Sequence, residues 1–250
     1  MNVVSERIKI KIRKKESMMH EYYESKKEKL KKTMNGYLKP ISKELEEETG
    51  TSFSKLEEEV WEYYELNLLE HFPYIGGDKI SGTRNLTGAY MFVALGVVCQ
   101  RYGMTLDRWG YLCTVAYRRF FEKIPKCLRS LARKVLMKSD FTTKMLKKKD
   151  VKNHENALKN PGSFETQTQE PTKEYPVMYY NLVCPLADFA KKYGYMEYMP
   201  YICNLDYVMF EVLNVPFYRE KTCARGDEYC DFKMKKDAPV QASWPCHGLK

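Results

Sequence analysis

Residues 200–232, PYICNLDYVMFEVLNVPFYREKTCARGDEYCDF, leave the chain few ways to fold. Leu205, Val208, Met209, Val212 and Leu213 recur at helical spacing, so residues 203–213 read as a helix. Asn214 and Pro216 stop it, because proline lacks the amide hydrogen a helix needs and holds the residue before it in extended backbone. Residues 217–224 then read as a strand, Arg225-Gly226-Asp227 as a turn and residues 229–233 as the returning strand. Such a hairpin brings Cys223 and Cys230 near each other, and the preceding helix can deliver Cys203 to the same place. Asp206, Glu220 and Asp227 share the stretch, so thiols and carboxylates are confined to about thirty residues. That density points to a site as well as to packing.

The rest of the chain supplies a helical body and a second piece of sheet. Residues 17–64 are rich in Glu, Lys, Leu and Tyr and read as helices broken near Asn35-Gly36, Lys39-Pro40 and Thr49-Gly50. Residues 86–102 are strongly apolar and helical, with Gly103 as a stop. Thr105 or Asp107 can cap the next helix, which Pro125 interrupts before another helix over 127–137. Residues 139–161 are polar and Lys-rich and read as a flexible region or lid. After them 163–169 and 177–183 read as strands, and 186–193 as a helix stopped by Gly194. The expected class is α+β, with an N-terminal helical arm over 1–65, a body over 66–236 with a helical middle and a small C-terminal antiparallel sheet, and a mobile tail over 237–250.

Composition narrows the function classes. The longest apolar run, around 90–98, is too short to span a bilayer, so no membrane partner is expected. The first fifteen residues lack an apolar signal core, and eight cysteines without one imply reduced thiols and a cytoplasmic setting. The net charge of +9 comes largely from residues 7–32, with eleven basic and four acidic residues, and residues 129–152, with nine Lys/Arg and two Asp. Neither run has the context of a nucleic-acid motif, so no nucleic acid is expected either. A small-molecule substrate or ligand is the expected partner, and the helical arm is compatible with a homo-oligomer.

Three segments together resemble one family. They are Pro73-Tyr74-Ile75-Gly76-Gly77 with Asn85-Leu86-Thr87-Gly88-Ala89-Tyr90 and Tyr102-Gly103; Val183-Cys184-Pro185 with Lys192-Tyr193-Gly194; and Pro200-Tyr201-Ile202-Cys203-Asn204-Leu205-Asp206-Tyr207 with Arg219, Gly226 and Cys230-Asp231-Phe232. In this order they look like the bacterial L-2-amino-thiazoline-4-carboxylic acid hydrolases, over roughly residues 66–236. The resemblance implies hydrolysis of a C–N bond in a cyclic amidine carrying a carboxylate, by water addition at C2 and ring opening to a carbamoyl cysteine. That chemistry needs a base or thiolate, a proton donor for the leaving atom and a cation for the carboxylate. Cys184, Cys203, Asp206 and Cys230 are the candidates for catalysis. Arg84, Asn85 and Arg219 are those for substrate binding. The final hairpin is also similar to vinyl-reductase-like (V4R) ligand-binding domains, which would make Cys203, Glu220, Cys223 and Cys230 a structural zinc set in a non-catalytic binding module.

Each residue also has a structural reading. Free cysteines are among the most buried residue types, which suffices for Cys99, Cys113 and Cys127 on apolar helices. Cys246 in the tail reads as incidental. Asp227 suits the turn itself. His71 and His154 have no supporting spacing, and without an H-E-x-x-H pattern a catalytic zinc of the histidine type is not expected. The tyrosines 179, 180, 195, 198, 201 and 207 could wall a planar pocket or simply pack.

Overall fold

Thirteen buried residues on one 21-residue helix, Ser81–Arg101, set the centre of the protein. The computed structural model describes residues 19–247. Ahead of the central helix (α5) come α1 (Glu21–Glu24), α2 (Lys27–Leu38), α3 (Ser42–Thr49) and α4 (Phe53–Tyr63). After it come α6 (Leu106–Glu122), α7 (Lys126–Leu136) and α8 (Ser139–Lys159). Strands β1 (Glu165–Gln169) and β2 (Val177–Val183) lead to α9 (Pro185–Tyr193), α10 (Met199–Val212), β3 (Phe217–Tyr218) and β4 (Cys230–Met234). The architecture is α+β: helices around α5, and one antiparallel sheet of order β1-β2-β4-β3.

The caps follow local chemistry. Ser52 and Thr105 accept from Lys55 N and Arg108 N at the starts of α4 and α6. Gly50 and Gly194 end α3 and α9 in left-handed backbone (φ 66° and 82°), where a side chain would be strained. Buried residues of the N-terminal helices, among them Tyr23, Met34, Leu45, Leu56 and Trp61, share one core with α5 and α6. The first eighteen positions of the basic arm and the last three of the tail lie outside the described residues.

Three expectations are corrected. Helix α2 runs through Asn35-Gly36 and breaks only at Lys39-Pro40, where a short 3₁₀ turn takes over. Residues 139–161 are not a loose lid, because Ser139–Lys159 forms helix α8 packed on β1. Four of its five buried residues are polar (Thr142, Thr143, Asn153 and Asn156, beside Ala157), so apolar periodicity could not reveal it. Asn156 Nδ2 donates to Ile75 O at 3.1 Å, and Asp150 accepts from Thr166 Oγ1 at 2.6 Å and Thr168 N at 2.7 Å. The tail is not mobile over 243–247: Ser243 and Cys246 are buried there, and Trp244 packs edge-on against Tyr111.

β4 closes the site geometrically. Its register sets Asn181 opposite Cys230, Tyr179 opposite Phe232 and Val177 opposite Met234. Cys230, Phe232 and Met234 therefore share the face that packs with Tyr207, Phe210 and Phe217 in a second core. The hairpin is looser than the sequence implied. β3 is two residues long, and Cys223–Arg225 form a 3₁₀ turn instead of continuing it.

Candidate active site

Helix α10 belongs to both cores. Ile202, Leu205 and Val208 join the main one, while Tyr207 and Phe210 join the sheet-side one. Cys203 and Asp206, three residues apart and so on one face, are both partly buried. Arg219 enters from the end of β3. Its side chain is 5% exposed, its Nη1 lies 2.6 Å from Asp206 Oδ2, and its Nη2 donates to Cys203 O at 2.5 Å. The guanidinium carbon sits 5.4–5.6 Å from the ring centres of Tyr207, Phe217 and Phe232. A charge so enclosed needs a counter-charge, which Asp206 provides. Burial pushes the Asp206 carboxyl up, and the Arg219 charge pulls back against that. Tyr117 from α6 and Tyr179 from β2 lie within the reach of its field.

Cysteine sulfurs converge beside this pair. Cys184 directly follows β2, Cys223 opens the 3₁₀ turn, and Cys230 starts β4. The Cys184 and Cys223 thiols adjoin the Cys230 sulfur; Cys223 N–H donates to it at 3.2 Å, and the Cys223 thiol donates to Asn181 O at 3.7 Å. These thiol neighbours, Cys184 first, pull Cys230 well below the ordinary thiol value, aided by the Arg219 charge. The same contacts with Cys230 push Cys184 and Cys223 up. Burial raises Cys203 to about 12, so it is a neutral thiol near neutral pH.

The loop over the thiols is shaped by two aspartates. Asp231, buried, accepts from Glu220 N at 2.9 Å and Lys221 N at 2.6 Å. Burial alone would raise its carboxyl, but these N–H groups and Lys233 hold it low. Asp227 accepts from Thr222 N at 2.7 Å, the turn-making role expected of it. Between the loop and α10 lies a cavity of ≈ 80 Å³, with Cys203, Tyr207, Arg219, Thr222, Arg225 and His247 in its lining.

His247 was not singled out by sequence. It arrives on a strap, residues 243–247, that a buried asparagine clamps to α10. Asn204 Nδ2 donates to Ser243 O at 2.7 Å, and its Oδ1 accepts from His247 N at 3.1 Å. Ser243 N donates to Glu211 at 2.8 Å, and Arg118 donates to both Glu211 and Ser243 Oγ. The His247 ring stacks on Tyr207 at 3.9 Å and 8°. The one hint in the sequence is Trp244, a large aromatic residue in the tail.

Two candidates lie apart: Arg84 and Asn85 are exposed on the first turn of α5, Arg84 beside Tyr37, and neither lines the cavity. Glu220 is in the cavity lining, but its side chain is 80% exposed and paired with Lys233 at 2.8 Å. Among the described residues no three His, Cys, Asp or Glu side chains are disposed to hold a metal ion.

The model of one family, L-2-amino-thiazoline-4-carboxylic acid hydrolase, matches residues 116–234. The likeness seen in the motifs thus stands for Cys184, Cys203, Asp206, Arg219 and Cys230, while the segment over 73–103, with Arg84 and Asn85, falls outside the match. No curated protein and no solved structure matches the chain. No helix among the described residues is long and apolar enough to cross a membrane.

Proposed function

We propose, from the match of residues 116–234 to the aminothiazoline-carboxylate hydrolase family, that the protein is a hydrolase that opens a small carboxylated cyclic amidine by adding water at C2. One observation carries this reading. Within the matched segment Cys203 and a buried guanidinium, Arg219, line a single cavity, with Asp206 paired to that guanidinium and Cys230 beside its two neighbouring thiols close by. A cavity of ≈ 80 Å³ suits one small ring, on a scale where one water takes about 10–15 Å³.

The residues divide the work as follows. Arg225 at the rim, its side chain 45% exposed, and Arg219 behind it give the positive potential that draws a carboxylate. Arg219 already donates to Asp206 and Cys203 O, so it acts by charge and by holding the wall. Asp206 supplies negative charge for a cationic amidine. Cys203 presents a neutral S–H beside the ring. The water oxygen bonds to C2 while the C=N electrons move onto nitrogen. Collapse to the carbonyl then breaks one ring bond, whose electron pair stays on the leaving atom and takes up one water proton, while the other passes from the oxygen to a product nitrogen. One water is consumed and nothing else is released.

The test is turnover of 2-amino-thiazoline-4-carboxylate by the full chain, read by mass spectrometry as a product heavier by one water. Cys203→Ser should lower kcat in a protein that still folds. A folded wild-type protein that leaves this compound and related cyclic amidines intact would refute the reading. Tight binding without turnover would favour a binding module.

A further inference from the structure

The hydrolase reading needs a proton acceptor at the cavity, and most of the groups around it are committed. Cys203 is protonated near neutral pH because burial raises it. Asp206 is engaged by Arg219 at 2.6 Å. Glu220 points to solvent toward Lys233, and the Tyr207 hydroxyl donates to Arg219 O at 3.3 Å. We infer that His247, delivered by the C-terminal strap, is the proton-transfer residue of this site. The inference rests on the hydrolase reading and extends it to a residue beyond the matched segment.

The geometry selects a tautomer. His247 Nε2 lies 2.6 Å from Ala242 O, and a carbonyl can only accept, so Nε2 carries the hydrogen. Nδ1 therefore keeps its lone pair and can take a proton. The ring is held in place by stacking on Tyr207 and by its own backbone N–H on Asn204. One ring nitrogen fixed by a backbone carbonyl and the other left basic is how an imidazole is oriented as a general base. Asn204, 1% exposed, makes both of its strap bonds to backbone, so the clamp positions the segment whatever its side chains. In the reaction, Nδ1 accepts one proton of water as the O–C2 bond forms. It returns that proton to the ring heteroatom as the C2 bond breaks, and the electron pair remains on that heteroatom. The second water proton leaves the oxygen as the carbonyl forms and passes to a product nitrogen, so both water protons end in the product.

The test compares wild type, His247→Gln and His247→Ala. The Gln amide can keep the bond to Ala242 O, so strap packing is retained, and thermal unfolding checks this. Both variants should lose about 10²- to 10⁴-fold in kcat with little change in KM. Their pH–rate profiles should lose one limb, and added imidazole should partly restore His247→Ala. Unchanged kcat, or a loss with an unaltered pH profile and no rescue, overturns the assignment. If the wild type turns over nothing, the hydrolase reading fails by itself, and ¹⁵N NMR of the His247 ring then judges the assignment. It survives if Nδ1 is unprotonated at pH 8 and its shift moves on adding 2-amino-thiazoline-4-carboxylate. A protonated Nδ1, or an unmoved one, overturns it.

Discussion

Replacing Asp206 by Asn isolates what the buried ion pair does. Arg219 is 5% exposed, and among the described residues Asp206 is the carboxylate it pairs with, at 2.6 Å. Two unit charges about 4 Å apart attract by about 4 kcal/mol at the effective dielectric of a partly buried site. Removing one partner of a fully buried pair costs about 3–5 kcal/mol. Two terms reduce this here. The Asp206 side chain is 36% exposed, and the Asn oxygen can still accept from Nη1. The expected loss is therefore about 2–3 kcal/mol, below the cost of breaking a fully enclosed pair. Urea unfolding followed by tryptophan fluorescence measures it. A double-mutant cycle with Arg219→Met separates the pair from the rest: once the guanidinium is gone, Asp206→Asn should cost under about 1 kcal/mol. Equal costs of Asp206→Asn in the two backgrounds, or a single mutant as stable as wild type, would refute the claim that the pair supports this part of the fold.

Other outcomes follow from the same packing. Gly110→Ala should destabilise by about 1–3 kcal/mol, since its Cβ would lie 2.1 Å from Tyr201 Cδ1, in a ring held by its hydroxyl on Asp107 and by Trp109. Gly36→Ala, with nothing within 4 Å in the interior of α2, should instead stabilise by about 0.5–1 kcal/mol; both are read by urea midpoints. Cys230 is held below the ordinary thiol value in the folded state, so the stability it contributes is complete above about pH 8.5 and is lost as pH falls through its folded value. The stability gap between wild type and Cys230→Ser should accordingly narrow on acidification. Burial raises Tyr64, Tyr90 and Tyr179, which stay protonated in the fold while the unfolded chain ionises above about pH 10, so stability should drop as pH rises through that value. Unfolding midpoints that stay flat from pH 9 to 11 would contradict this.

What could be read from the chain was whatever depends on neighbours in sequence. Apolar spacing found α5, α6 and α10, alternation found β1, and Gly50, Gly103, Pro125 and Gly194 marked element ends through backbone chemistry. The motifs placed Cys184, Cys203, Asp206, Arg219 and Cys230 in one family-like segment, and the fold brings those side chains together. Only tertiary structure decided the rest. Helix α8 buries threonines, and asparagines whose partners, Thr166 and Ile75 O, lie outside the helix, so no apolar stripe announces it. Glu220 points outward because the loop is held by Asp231 and Asp227, and no rule of spacing conveys that. Arg219 is bound to Asp206 instead of standing free for substrate because the cores on both sides of α10 enclose it. His247 reaches the cavity through Asn204, forty-three positions earlier. Hydrogen bonds between distant residues leave no periodic trace in a sequence, and this site is built largely from them.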